Sequence, residues 1–416
     1  MTKPHLPLSF SEIDMALEGS GLITLPGRAT ITLESAFQPV YSLAHKRMIG
    51  MEALIRAKDD QGRSISPPAL FSACNGITEL IVLDRMARHV HVRNFTLLND
   101  PLSWLFLNVH PRVVQQGKKM GSFFSELLDR FALPAHRVVI EIVEHPIEDT
   151  NLLQETVEYY KSLGCLIALD DFGAGGSNFE RVWSLKPHII KLDRSFVVQA
   201  TARPDTRDIL PDLVYLLRQA GCLVLMEGVE TFEQALIAME SGVDFVQGYH
   251  FAMPTPNPMA MREFSFDALF SFFKSFAQNE ETSKQDKIRH YQKLFDEMVR
   301  EVESGISLEV AGRTFFAHEK CVRCFLITSD GAQVGLNMLS PKYAQNQDPR
   351  FKPLENTSDA DWSRRFYLRR AVANPGRVQC TRPYLSLTGA HMCVTFSRTV
   401  QTPQGTLVLC CDVNWD

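Results

Sequence analysis

From Phe37 to Gln247 the chain alternates short apolar runs with longer amphipathic ones, and this alternation narrows the possible folds more than any other feature. The apolar runs are Phe37–Tyr41, Met48–Arg56, Trp104–Val109, Val138–Val143, Leu166–Asp170, His188–Leu192, Cys222–Glu227 and Phe245–Gln247. Each has the length of a buried strand. Between them Pro67–Arg93, Asn151–Leu163, Asp205–Ala220 and Phe232–Ser241 carry helical spacing. Strands and helices alternating in this way over roughly 220 residues predict an α/β chain built on a modified (β/α)8 barrel. Only a few residues around Ala44–His45 join the first two runs. That is too short for a parallel crossover, so the first strand should run antiparallel to the second.

Polar residues recur near the ends of these runs. Glu52 lies in the second, Asn108 ends the third and Glu141 is late in the fourth. The stretch Leu166–Gly176 ends its apolar run in two adjacent carboxylates, Asp170 and Asp171, before a glycine-rich loop. Lys191 is near the end of the next run, and Glu227 and Gln247 close the two after it. Taken singly, each acid reads as a surface or capping residue. In a barrel, however, the C-terminal strand ends share one mouth. Carboxylates gathered there are costly unless paired or metal-bound, and two divalent cations would relieve the repulsion and supply a Lewis acid for phosphate chemistry.

The same residues carry a family resemblance. Glu52-Ala-Leu-Ile-Arg56 resembles the signature of bacterial EAL domains, phosphodiesterases that hydrolyse cyclic di-GMP. Phe37-Gln-Pro39, Asn108, Glu141-Ile-Val-Glu144, Asp170-Asp-Phe-Gly173, Lys191-Leu-Asp193, Glu227-Gly-Val-Glu230 and Gln247-Gly-Tyr249 extend it over about residues 31–260. The resemblance implies two Mg²⁺ or Mn²⁺ ions. Glu52, Asn108, Glu141 and Asp170 would hold one, Asp170 and Asp171 the other, with Glu227 acting on it directly or through water. It implies catalytic roles for Glu52, Lys191 and Glu227, with Lys191 orienting or helping to deprotonate the attacking water. Gln38, Leu54, Arg56 and Gln247 would contact the dinucleotide, Glu144 and Glu230 would support the neighbouring loops, and the product would be linear pGpG. Gly176, Asn178 and Val143 depart from the family pattern, and the added glycine predicts a looser loop beside the second metal. A non-catalytic cyclic di-GMP receptor signalling to a protein partner, and a metal-dependent phosphodiesterase for another nucleotide, remain open alternatives.

Composition bounds the partners. The chain has 416 residues, a net charge of −5 and a pI near 6.2. No polycationic surface for nucleic acid or anionic membrane is expected from that balance. No apolar run reaches a membrane span and the N-terminus lacks a signal-peptide pattern, so the expectation is a cytoplasmic protein with free thiols.

The flanks divide into an N-terminal accessory segment (1–30), the barrel (31–265), a helical connector (266–304) and a smaller α+β domain (305–416). Ser11 is placed to cap a short first helix ending near Gly19 and Gly21. In the connector, Ile288, Tyr291, Phe295, Met298 and Val302 follow three-four spacing. That seam suits either a short coiled coil in a homodimer or packing on a neighbouring domain. The last segment should hold a hairpin (Val322–Thr328, Gln333–Leu339) turning at Ser329-Asp-Gly331, a helix Asp359–Val372, and strands near Arg377–Thr381, His391–Val400 and Thr406–Val413. This order, with Trp362-Ser-Arg-Arg-Phe-Tyr367, Tyr384 and Cys411-Asp-Val413, resembles PAS or Cache sensor modules. It implies a small ligand or protein partner, with Trp362, Arg365, Tyr384 and Asp412 as candidate contacts. Six of nine cysteines fall here: Cys321, Cys324, Cys380, Cys393, Cys410 and Cys411. The Cys321-Val-Arg-Cys324 spacing can bind zinc or cycle as a dithiol, but a fully extended strand would put the two on opposite faces, and free cysteine is among the most buried residue types, so they read as buried structural thiols.

Overall fold

The computed structural model describes residues 10–13, 22–24, 30–109, 113, 123–143, 150–174, 179–345, 356–357, 359–386 and 391–415. The chain divides into two compact units, Met1–Ser275 and Phe276–Asp416.

In the first unit the strands are β1 (Leu22–Thr24), β2 (Thr30–Ser42), β3 (Arg47–Lys58), β4 (Ser64–Ile65), β5 (Trp104–Val109), β6 (Val138–Val143), β7 (Leu166–Phe172), β8 (Ile189–Leu192), β9 (Leu223–Met226) and β10 (Phe245–Val246). From β3 through β5 to β10 successive neighbours are parallel, whereas β2 runs antiparallel to both β3 and β10 and closes the ring. The result is an eight-stranded α/β barrel with an antiparallel β2, as the short Ala44–His45 connection requires. Helices α1 (Pro67–Ser72), α2 (Ile77–Leu97), α3 (Phe123–Arg130), α4 (Thr150–Ser162), α5 (Phe179–Leu185), α6 (Arg194–Ala202), α7 (Pro204–Gln219) and α8 (Phe232–Ser241) alternate with the strands.

Two details differ from expectation. Pro67–Arg93 is two helices rather than one, because Gly76 takes φ 96° between them, a conformation a helix cannot continue through. Ser11 lies inside the described turn 10–13 rather than before it, while Gly19 and Gly21 lie outside the described residues.

The barrel interior explains where the functional residues can stand. Val40, Phe106, Val139, Ala168, Ile189, Leu225 and Phe245 form one buried apolar layer. Gly50 completes it by absence of bulk: a Cβ there would meet Phe106 Cε2 at 2.8 Å. Strand side chains repeat every second residue. Two residues on from this layer, toward the mouth, stand Asn108, Glu141, Asp170, Lys191, Glu227 and Gln247, with Glu52 following Gly50. On antiparallel β2 the equivalent step runs backward, from Val40 to Gln38. An apolar plug thus floors a polar ring.

The second unit is an antiparallel sheet containing β11 (Cys321–Thr328), β12 (Gln333–Leu339), β13 (Gln379–Cys380), β14 (Tyr384–Leu385), β15 (Met392–Thr402) and β16 (Gly405–Asn414), in order β12-β11-β16-β15-β13, with β14 also on β15. Its helices are α9 (Asp267–Glu303, which begins in the first unit), α10 (Leu308–Phe316), α11 (Pro341–Gln345) and α12 (Phe366–Ala373). Phe295, Met298 and Val302 of α9 are buried in one core with Cys324, Phe396, Leu409 and Cys411, and Ile288 and Tyr291 pack against it. The three-four seam is therefore spent inside the unit. At its other end Leu269 of α9, with Phe266 just before the helix, joins the barrel core.

The helix expected over Asp359–Val372 begins only at Phe366. Asp359 has φ 62°, and the Asp361 carboxylate accepts from the Ser363 N–H, so the chain turns before it coils. Cys321 and Cys324 enter the same core, contrary to the opposite-face expectation, because a bulge between Cys321 and Arg323 resets the alternation.

Candidate active site

Lys191 is the hub of the polar ring. Its ammonium lies 2.5 Å from Glu141 Oε1, 2.5 Å from Glu227 Oε1, 2.9 Å from Asp170 Oδ1 and 3.6 Å from Glu52 Oε2. Lys191 is 1% exposed and Glu141 0%. Burial alone would drive the proton off Lys191, but Asp170, Glu141, Glu227 and Glu52 outweigh it and hold the group charged, well above the ordinary lysine value.

One ammonium does not neutralise all these acids. Burial, opposed by Lys191 but aided by Asp170 and Glu52, pushes the Glu227 carboxyl up to about 8. Burial and the nearby Glu52 charge raise Glu141 well above the carboxylate range. Glu52 goes the other way. Against its own burial, it has Lys191 and two side-chain amides: Gln247 Nε2 donates to Oε2 and Asn108 Nδ2 to Oε1, each at 2.9 Å. Gln247 also donates to Gln38 Oε1 at 3.3 Å, and Gln38 to the Ala252 carbonyl at 3.3 Å. Gln38 faces Glu52 in the β2–β3 register, and Asn108 faces Glu141 across β5–β6.

The residues fit divalent cations. Donor oxygens of Asp170, Asp171 and Glu227 all lie within 4.8 Å of one another. Glu141 Oε2 is buried without a hydrogen-bond partner among the described residues. Hard carboxylate oxygens with a side-chain amide suit Mg²⁺, Mn²⁺ or Ca²⁺. Asp171 sits at φ 55°, a left-handed conformation that Asp tolerates better than most side-chain-bearing residues and that turns the chain directly after Asp170. Gly173 follows at φ 103°, where a Cβ would collide with the Phe196 ring at 2.2 Å; Phe196 on α6 therefore backs the start of this loop.

A cavity of about 350 Å³ opens over the ring, lined by Gln38, Glu52, Leu54, Asp170, Asp171, Lys191, Glu227 and Gln247 together with Arg194, Gly228, Glu230, Gly248 and Tyr249. A second, of about 170 Å³, lies beyond Leu54 and Asn108 and is bordered by Pro67, Phe71, Asp84, Arg88 and His91. Arg56 lines neither; its Nη1 donates to the Ile55 carbonyl at 3.0 Å. Glu230 pairs with Arg194 Nη2 at 2.8 Å. Glu144, Gly176 and Asn178 lie outside the described residues, as does the side chain of Val143.

Sequence reasoning missed Arg194. Its signal was its place just after Asp193, which caps α6 by accepting from the Ser195 N–H at 2.9 Å. Gly228 makes room for Arg194, since a Cβ there would lie 2.6 Å from its side chain. His188 and His250 are structural. The His188 ring accepts from the Ile167 N–H, and the His250 ring packs on Phe232, Phe251 and Phe264.

Comparison with known proteins follows the same residues. RocR of Pseudomonas aeruginosa, a cyclic di-GMP phosphodiesterase, is 31% identical over 231 residues, covering 54% of this chain and 57% of its own. YkuI of Bacillus subtilis, an EAL-domain protein, is 26% identical over 273 residues, covering 64% of this chain and 66% of its own. The chain thus spans less than two thirds of either relative. The crystal structure of YkuI in complex with substrate c-di-GMP and calcium matches the fold with a TM-score of 0.75 at 20% identity, over 92% of this chain and 96% of that one. The EAL domain model itself matches residues 28–254, more than half of the 416, and on that match the chain belongs to the EAL domain family.

Proposed function

We propose that the chain hydrolyses cyclic di-GMP to linear pGpG with two bound Mg²⁺ or Mn²⁺ ions. One observation carries this reading: Glu52, Glu141, Asp170 and Glu227 converge on the Lys191 ammonium at the floor of an open cavity. The activity named for RocR and the ligand named for YkuI support the same substrate. Glu52, Asn108, Glu141 and Asp170 would hold one ion, and Asp170, Asp171 and Glu227 the other. When bound, such ions stabilise the charge that develops on the phosphodiester oxygens. Lys191 orients the attacking water and holds or releases a proton at Nζ. Gln247 and Asn108 keep Glu52 ionised and pointed into the ring. Gln38, Leu54, Arg56 and Gln247 hold the dinucleotide, for which Arg56 must leave the Ile55 carbonyl and present its planar fork to a phosphate. Glu230, through Arg194, and Glu144 support the surrounding loops.

Residues 1–30, 31–265, 266–304 and 305–416 are read as accessory segment, catalytic barrel, connector and a PAS/Cache-like regulatory domain. Regulation draws support from the separateness of the second unit. In that unit Tyr384 and Thr395 share a hydrogen bond of 2.6 Å, Thr395 donates to Asp412 at 2.7 Å, and Asp412 pairs with Arg323 at 2.5 Å. Trp362 Nε1 donates to Gln333 Oε1 at 2.7 Å, with Arg365 over its ring. A cytoplasmic homodimer completes the reading; among the described residues no helix is long and apolar enough to cross a membrane.

The test is incubation of the full chain with cyclic di-GMP and Mg²⁺ or Mn²⁺, followed by chromatography for pGpG. Tight binding without pGpG would make the chain a receptor, and turnover of other cyclic nucleotides alone would replace the substrate.

A further inference from the structure

We propose that Met298, Cys324 and Cys411 form a binding site for one monovalent copper ion in the second unit. Three separate elements supply the donors: α9, β11 and β16. Cys324 and Cys411 are directly opposed in the β11–β16 register, and their thiols hydrogen-bond each other. Met298 Sδ closes the triangle, 3.7 Å from Cys324 Sγ and 3.6 Å from Cys411 Sγ. Cys324 and Cys411 are 0% exposed and Met298 1%.

The dimensions suit a trigonal ion. The 3.6 and 3.7 Å from Met298 Sδ to the two thiols fall slightly short of the roughly 4 Å that sulfurs bound at about 2.3 Å around a trigonal ion would take. Slight expansion is all the site needs. Thiolate and thioether together are soft donors that select Cu(I) over harder ions. Zinc takes four ligands in structural sites, one more than the three sulfurs gathered here. Among the described residues, the group of three His, Cys, Asp or Glu donors at ligand spacing lies in the barrel, not here.

Charge points the same way. The surroundings are apolar, including Phe295, Val394, Phe396 and Leu409, so a net charge would be costly. A monovalent ion that displaces one thiol proton leaves the site neutral: one S–H bond breaks, one Cu–thiolate bond forms, the second thiol and the Met298 thioether bind copper as neutral lone-pair donors, the proton leaves to solvent, and copper keeps its oxidation state. A divalent ion would need both thiolates for the same balance and would still depend on a thioether.

The test loads the reduced full chain anaerobically with Cu(I) and challenges it with a chromogenic Cu(I) chelator. The expected result is one ion retained per chain. Met298→Leu conserves volume and keeps the core packed, and it should weaken retention at least tenfold. Cys324→Ser or Cys411→Ser should weaken it at least a hundredfold, while Cys380→Ser should leave it unchanged. X-ray absorption should count three sulfurs around copper in the native chain and two in Met298→Leu. Failure of the native chain to retain copper overturns the proposal, as does equal retention in Met298→Leu and Cys324→Ser. A Cys324–Cys411 disulfide that forms in place of copper binding would also overturn it.

Discussion

Replacing Lys191 by methionine tests the electrostatic design of the barrel mouth more directly than removing any one acid. Lys191→Met keeps most of the apolar stem but deletes the charge that sits 2.5 Å from Glu141 and Glu227, 2.9 Å from Asp170 and 3.6 Å from Glu52. Removing one partner of a buried ion pair costs about 3–5 kcal/mol, because the charge left behind is uncompensated. The acids can escape that cost only by taking up protons, so the deficit must depend on pH. In the native chain Glu52 lies below its ordinary value, and its contribution is present above about pH 4.3 and lost as pH falls. Without Lys191 the Glu52 pKa moves above its unfolded value, and its contribution is instead lost as pH rises. The difference between variant and native chain should therefore be small at pH 4.5 and reach about 3–5 kcal/mol by pH 8. For a unit of this size that corresponds to roughly 6–20 °C in the barrel transition. Calorimetry in chelator, with the two units' transitions followed separately, reads this directly. Millimolar Mn²⁺ should then restore the variant more than it stabilises the native chain, since the ion supplies the missing positive charge. A deficit under about 1 kcal/mol at pH 8, or one equal at pH 4.5 and pH 8, would refute the role given to this ammonium.

Four further outcomes are expected. Asp170→Asn should abolish pGpG release while leaving the thermal transition of the barrel in place, checked by chromatography and calorimetry on one preparation. Because burial pushes the Glu227 carboxyl up to about 8, protons should compete with metal below that pH, and apparent metal affinity measured by titration calorimetry should rise up to about tenfold per unit from pH 6 toward pH 8. Burial and the nearby Arg56 charge hold the His91 ring neutral down to about pH 3; its contribution is present above pH 6.5 and lost as pH falls, amounting to about 2 kcal/mol by pH 5, and His91→Gln should flatten the stability profile by that amount. A chain ending at residue 275 should still bind cyclic di-GMP, whereas one ending at 262 should unfold because it lacks Phe266 and Leu269 from the barrel core; equilibrium dialysis and circular dichroism separate the two.

What the sequence by itself determined was everything that depends on local period. Strand repeats of two and helix repeats near 3.6 are read from neighbours in the chain, so the alternation, the antiparallel β2, the placing of Glu52 within its strand and that of Asn108, Glu141, Asp170, Lys191, Glu227 and Gln247 near strand ends were all legible. Even the polar ring was implicit, because all of these residues but Glu52, which follows Gly50, stand two positions from a residue of one apolar layer. The hairpin of β11 and β12 was legible for the same reason, through its Ser329-Asp-Gly331 turn.

Only the tertiary structure decided what depends on meetings between distant segments. The sharing of one ammonium among acids on three strands and one just past a fourth, and the opposite pKa directions of Glu52 and Glu227, follow from distances that no local pattern encodes. Arg194 became part of the cavity wall because Gly228, over thirty residues later, leaves it room. The seam on α9 was equally suited to a second helix or to a sheet, and the apolar face of β15 and β16 settled it. Cys321 joined Cys324 in one core because of a single bulge, a defect in period that period-based reading cannot see. Hydrophobic spacing tells a side chain which face to take; what stands opposite that face is a property of the whole chain's packing.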